Sequence, residues 1–321
     1  MITQSDFPKL TDYVDDIFNE VAKTSVADMK GNKIFRVRDT SLRSFEHLIL
    51  HGMSGIQEVT PGQDFPNVTS EEGDSITWTQ RQYGAKVSVT EEMRMFDRYS
   101  QLESIVRSIS TDAFDKIDQS LADVLLYGTA TTYTDVYGKS VAAVGPDGLA
   151  LFSASHSNNL NTDVFSNIIT SNPALSRAAI VTARKLGLTH KDPNGMIRPV
   201  HLDSIIVSPE NEDLIERILY SEKMSGTGNN DLNPMKGKIK NVYVWERMQT
   251  RSDGTDTSAY WFMFDSSKIG ETLNCLFAKR PVLQAPEKVY KNGNWDYALN
   301  YYNTIGIGYA PYIFGSTGAG A

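Results

Sequence analysis

Sulfur is scarce in this chain: Cys275 is its single cysteine in 321 residues, so no internal disulfide can form and a reducing compartment suits it. Positive charge is short as well. The 31 lysines and arginines face 39 aspartates and glutamates, leaving −8 with histidines neutral. A molecule with no overall cation excess is not built to coat nucleic acid tightly, although a local basic patch is compatible with that balance. Long apolar runs are missing too, and no stretch approaches the ~18 apolar residues of a membrane span. The N-terminal MITQSDFPKLTDYVDDIF has neither a basic leader nor a continuous apolar core, so the expected product is made in the cytoplasm and is neither secreted nor membrane-bound. Without a secretory signal, the acceptor-like Asn67-Val68-Thr69 is a chance match.

What is present is an ordinary globular composition, 40% hydrophobic and 22% charged, enough for a sizeable core in one large or two ordinary domains. Phe7, Leu10, Tyr13, Val14, Ile17, Phe18 and Val21 recur at helical spacing with Asp12, Asp15, Asp16 and Glu20 between them, which predicts an amphipathic helix that needs a surface to lie on. Glycine and proline punctuate the next stretch (Gly52, Gly55, Pro61, Gly62, Pro66, Gly73), and ITWTQRQYGAKVSV from Ile76 to Val89 alternates as a strand does. Leu102, Ile105, Val106, Ile109, Ala113, Ile117, Leu121, Val124 and Leu125 then mark one face of a long helix running from Asp97 to near Gly128.

A compact α/β region follows. Helices are predicted from Ala174 to Leu186, after Asn172-Pro173, and from Glu210 to Glu222, after Ser208-Pro209. Buried strands are expected at 204–207, 242–245 and 260–264. The chain closes with long strands, Leu276 to Tyr290, Trp295 to Tyr302 and Thr304 to Pro311, turned at Asn292-Gly293, and with a glycine-rich tail from Gly315 that should be flexible.

The candidate chemistry is thin. Ser155 and His156 are adjacent in LFSASHSN, but side chains at neighbouring positions diverge, and no Gly-x-Ser-x-Gly elbow surrounds them. A hydrolase using Ser155 is the reading that this pair alone would offer; a polar loop is the other. His47 and His51 would share a face of a helix as a metal pair must, yet Glu46 points elsewhere, Cys275 is remote, and no third ligand is apparent. Asp112, Asp115 and Asp118 read as the solvated face of the long helix. Gly226-Thr227-Gly228-Asn229-Asn230 reads as a loop and Gly306-Ile307-Gly308 as a strand with close backbone packing, since neither completes a phosphate-binding fingerprint. No catalytic, cofactor or metal site is assigned, and the chain is read as a non-enzyme.

The order of elements carries the signal: terminal helix, extended hairpin, long helix, α/β unit, closing strands. It resembles the major capsid protein of tailed double-stranded DNA bacteriophages, the Hong Kong 97-type α+β fold, and within it the Mu-like major head subunit. LFSASHSN is similar to the Leu-Phe-Ser-x-x-His-x-Asn pattern of those head proteins, with Ser157 where that pattern has proline. The helix start LSRAAIVTARKL, the turn Lys191-Asp192-x-x-Gly195, the strand into Pro209 and the loop with Asn233-Pro234 and Gly237 follow in the same order.

The resemblance implies an N-terminal arm (1–40), an extended loop (41–90), a peripheral domain on the long spine helix (91–160 with 271–321) and an axial domain (161–270). LFSASHSN would lie where the chain passes between the last two. The implied role is a structural protein that assembles through pentamers and hexamers into an icosahedral or prolate head, a virion component made and assembled in the bacterial host cytoplasm. Its partners would be further copies of itself, packaged DNA by weak inner-surface contact, and portal, scaffolding and cementing proteins, with no membrane and no cofactor. The arm's apolar face is expected to pack on a neighbouring subunit.

Two further expectations come with the resemblance. Too little chain precedes the long helix for a cleavable assembly domain, so scaffolding would be a separate polypeptide. Some shells of this family are locked by a lysine on the extended loop, but no lysine lies between Lys33 and Lys86, which predicts a non-covalent shell. A bacterial nanocompartment shell would share the same fold.

Overall fold

Apolar side chains three and four apart wind Phe7–Asp28 into a helix (α1), and Val14, Ile17, Phe18 and Val21 on one stripe of it are buried. In this computed structural model the described residues are 7–50, 56, 58–65, 67, 72–92, 99–158, 161–192, 195–223, 232–289, 291 and 293–319. Strands β1 (Arg36–Asp39), β2 (Ser44–Leu50), β3 (Glu72–Thr79) and β4 (Arg81–Val89) precede the long helix, Tyr99–Leu126. Its 28 residues span about 42 Å at ~1.5 Å per residue. Two hairpins follow, β5 (Thr132–Thr134) with β6 (Ser140–Ala142) and β7 (His156–Asn158) with β8 (Asn161–Phe165). After a helix at Arg177–Leu188 come β9 (Ser204–Val207), a helix at Glu212–Tyr220, β10 (Asn241–Val244) and β11 (Trp261–Phe264). The chain ends in β12 (Leu273–Leu283), β13 (Glu287–Lys288), β14 (Trp295–Ile307) and β15 (Ile313–Ser316). The expected features at Gly52, Gly55, Pro66, Val68, Thr69, His51, Asp97, Gly226 to Asn230 and Asn292 lie outside the described residues.

The chain forms two compact units. The first gathers the described residues of 1–45, 79–121 and 275–305. Its sheet runs β1-β12-β14-β13, with β4 also pairing β14 over nine residues. Tyr83 stands opposite Tyr301 in that ladder and the rings stack at 5.3 Å, a cross-strand pair that helps fix register. Against the long helix lies α1: Phe18 meets Phe114 at 6.4 Å between ring centroids, and Arg107 binds both Glu20 (2.8 Å) and Glu103 (2.9 Å). The N-terminal helix therefore closes the core of its own unit, whereas an arm packed on a neighbour was expected. Asp118 also departs from expectation. It is buried and accepts the Gly31 amide at 3.1 Å, and a Cβ on Gly31 would stand 2.5 Å from the end of the Leu121 side chain, which would have to shift.

The second unit holds the described residues of 46–78, 122–274 and 306–321. Its sheet runs β10-β9-β11-β15, parallel at β10/β9 and antiparallel elsewhere. Ile205, Val207, Trp261, Met263 and Phe314 on the sheet pack with Ile180, Ala183, Ile215 and Leu219 on the two helices. The first of these helices is capped by Ser176, whose hydroxyl accepts the Ala179 amide at 3.2 Å, while Asn172 sits in a turn at φ 45°. The second begins as a single tight turn at Pro209–Asn211 because the Ser208 hydroxyl donates to the Ser258 carbonyl instead of capping.

Two expected closing strands are one, β14. The expected flexible tail is a strand as far as Ser316: all four residues of β15 are buried, and the Ser316 hydroxyl donates to the Pro173 carbonyl at 2.7 Å. Pairing with β11 supplies what glycine and serine lack in intrinsic propensity.

Candidate functional site

The segment LFSASHSN lies wholly in the second unit, where its apolar half is an anchor. Leu151 and Phe152 are buried, and the Phe152 ring stacks on Phe262 at 5.1 Å. Two glycines make room for it: a Cβ on Gly128 would approach the Phe152 ring to 2.4 Å, and one on Gly315 to 2.9 Å. The Phe152 amide donates to the Gly128 carbonyl at 2.7 Å. The end of the long helix, this segment and β15 are thereby held together.

A polar hub stands beside the anchor. Asn167 is fully buried and uses its whole side chain: Oδ1 accepts the Ser153 amide at 2.9 Å, and Nδ2 donates to the carbonyls of Leu151 (2.7 Å) and Ala310 (3.3 Å). Its carbonyl accepts the Gly315 amide at 3.0 Å. A buried amide satisfied from two other chain segments specifies one arrangement of those segments, since any other would leave it unpaired.

His156, 1% exposed, sits in the same hub with both ring nitrogens facing acceptors, Nδ1 toward Asp147 Oδ2 at 2.6 Å and Nε2 toward the Leu151 carbonyl at 3.2 Å. Burial works to raise the Asp147 carboxyl, but the hydrogen bond and charge of His156 and the Leu149 amide outweigh it and hold the group below the usual carboxylate range. On its other side His156 stacks on Phe165 at 5.1 Å, and Phe165 meets His190 edge-on at 5.0 Å. Burial lowers His190 to about 4; Asp192 opposes that shift and Lys268 adds to it. Burial, with Asp192, Glu271 and Asp147 nearby, pushes the Tyr309 phenol up. A shallow pocket opens here, lined by Asp74, Asp147, His156, Ser157, Phe165 and Tyr309 among others.

Ser155 and His156 are not bonded to each other as a nucleophile and its base would be. Ser155 is exposed, its amide is turned to the Ser153 hydroxyl, and the neighbouring imidazole has spent both nitrogens on Asp147 and Leu151. The turn Gly145 to Gly148 supplies Asp147, so the histidine is paired to a carboxylate nine residues upstream and not to its own neighbour. His47 lies in β2, not on a helix, and stacks on Trp78 at 5.0 Å. His51 is outside the described residues. Asp112 pairs with Lys116 at 2.9 Å on the long helix. Among the described residues no group of three or more His, Cys, Asp or Glu is arranged to hold a metal ion, and no helix is long and apolar enough to cross a membrane. Burial pushes the Cys275 thiol up to about 12, which leaves it inert.

The close-packing glycines behave as expected from their strand. A Cβ on Gly306 would fall 2.2 Å from the Trp78 ring, and one on Gly308 2.1 Å from the Glu271 carbonyl. The reading of the sequence missed Asp147, Asn167 and His190. The first was legible as an Asp in a Gly-Pro-Asp-Gly turn; the other two have no local signature.

Comparison with known proteins places these features. A profile of a family described as phage capsid protein matches residues 73–309. No curated protein matches the sequence. Solved structures with a similar fold include one from Mycobacterium phage Patience, at TM-score 0.55 and 11% identity, covering 97% of this chain and 89% of that one. The capsid of an empty GTA particle gives 0.53 at 12% identity, covering 89% and 88%. The bacteriophage PhiM1 mature capsid gives 0.52 at 13% identity, covering 89% and 85%.

Proposed function

The chain belongs to the phage capsid protein family, and on that premise we propose that it is the major subunit of a tailed-phage head, a structural protein that assembles with copies of itself into a closed shell around the genome. Its fold is the Hong Kong 97-type capsid fold. The family match is to phage capsid proteins as a whole and stops short of the Mu-like branch. The observation that carries the reading is the extent of that match, which takes in the β3/β4 region, the long helix, the hub around Asn167 and most of the closing strands.

In this reading residues 1–40 take the arm's place in the chain but fold onto their own unit, 41–90 are the extended loop, 91–160 with 271–321 the peripheral domain, and 161–270 the axial domain. Pentamers and hexamers are the assembly units, assembly takes place in the host cytoplasm, and packaged DNA with portal, scaffolding and cementing proteins completes the set of partners. The shell is held by non-covalent contacts. Supporting that view, Lys86 lies within β4, opposite Ala298 of β14, and its ammonium is engaged by Asp296 at 2.7 Å. A rigid, paired strand gives it no reach toward another subunit.

The test is expression in bacteria, alone and with the neighbouring head genes, followed by negative-stain microscopy. Closed particles are expected. Monomers under every salt and crowding condition, with partners present, would refute the proposal.

A further inference from the structure

The cations of this acidic protein are unevenly matched. Lys86, Arg107, Lys116, Arg198, Arg217, Lys236, Lys240, Arg280 and Lys288 each have a carboxylate partner. Between residues 30 and 43 five cations follow one another with a single acid among them. Lys30, Lys33, Arg36, Arg38 and Arg43 stand against Asp39 alone, and Asp39 is already bound by Arg280 through two hydrogen bonds at 2.8 and 3.0 Å. None of those five cations makes an ion pair among the described residues.

Their placement concentrates the charge. Strand β1 is the end strand in its sheet, next to β12, so its outer edge is unpaired among the described residues. Arg36 and Arg38 are two residues apart on that strand and share one of its faces, about 7 Å apart and well inside a Debye length of each other. Lys33 and Arg36 are exposed and Arg38 is half-buried, with a buried Nε that finds no acceptor. Burial, and then the charge of Arg36, hold the Arg38 guanidinium below its ordinary value, so the two guanidiniums repel each other along this edge.

We propose that the β1 edge, with Lys33, Arg36 and Arg38 at its centre, is a phosphate-contacting surface for double-stranded DNA, and hence the part of the first unit that faces the packaged genome. The inference rests on the shell reading above. Guanidinium forks match phosphate oxygens in shape as well as charge. Clustering cations along one edge of a molecule of net −8 gives a contact that is local and salt-sensitive, suited to a container that must release what it holds. The competing occupant is an acidic face of a second copy of the chain.

The test uses the unassembled full-length chain and a short DNA duplex, with affinity followed by fluorescence anisotropy across a salt series. The variant Lys33→Gln with Arg36→Gln, both at exposed positions, should lower the slope of log affinity against log salt by about 2, roughly one per lost phosphate contact. Lys33→Glu with Arg36→Glu should do at least as much, and Arg217→Gln in the second unit, where the arginine is already paired with Asp213, should leave the slope alone. Circular dichroism checks that each variant folds. An unchanged slope, or no binding by the parent chain, overturns the proposal. So does a variant that binds DNA normally but no longer self-associates, which would make the edge an interface between copies. Failure of the parent chain to form shells would instead sink the proposed function, and microscopy reads that separately.

Discussion

His190 should make this protein less stable in mild acid, by an amount the structure allows to be worked out. Its imidazole is buried against the edge of Phe165, with Asp192 and Lys268 the charged groups acting on it, and the balance lowers it from 6.5 to about 4. The folded state therefore keeps the ring neutral where the unfolded chain would bind a proton. A depressed histidine contributes nothing to the pH dependence above the unfolded value, and costs stability as pH falls from about 6.5 toward 4. With ~1.36 kcal/mol per pKa unit, the loss relative to pH 7 is about 1 kcal/mol at pH 5.5 and about 3 kcal/mol at pH 4. His190→Gln, uncharged throughout, removes this contribution whatever constant cost the substitution adds. Urea unfolding of the unassembled chain at pH 7, 5.5 and 4.5 should show the parent losing stability faster than the variant, because carboxylates titrating in both cancel in the difference. Parallel pH dependences in parent and variant would refute the assignment of a buried neutral imidazole.

Phe18→Ala should destabilise the unassembled chain by roughly 3 kcal/mol, the usual cost of emptying a buried aromatic site, since Phe18 is 7% exposed and packs on Phe114; unchanged unfolding with impaired assembly would mean the helix belongs to a neighbour. Asp147→Asn should cost on the order of 2 kcal/mol at neutral pH by removing the charged partner of a buried ring, and thermal melts would read it. Because the Asp147 carboxyl is held low, its contribution is present above the ordinary carboxylate range and fades as pH falls through the folded value; an Asp147→Asn deficit that persisted undiminished in strong acid would contradict this. Boiling mature particles in detergent and reductant should release a monomer of 35.7 kDa. A ladder of covalent oligomers on that gel would disprove the non-covalent shell.

Periodicity by itself determined the long elements. The apolar stripes of α1 and of Tyr99–Leu126, the alternation through β4, and the buried runs at β9 and β11 each recur over enough residues for one face to be unambiguous. The order of motifs that resembles a phage head protein was legible in the sequence as well. Tertiary structure decided whatever depends on a distant partner. Whether the apolar face of α1 closes its own unit or a neighbour's is a matter of where Phe114 and Arg107 stand, and no property of α1 encodes it. The glycine-rich end at 313–316 is a strand because β11 offers it a ladder and Phe152 needs the space at Gly315. Asp118 looked like one of three solvated carboxylates until Gly31 was brought against it. His156 carries no mark in the sequence of whether it serves Ser155 or Asp147. The fold answers by turning its two nitrogens to Asp147 and the Leu151 carbonyl, which satisfies both nitrogens of a buried imidazole.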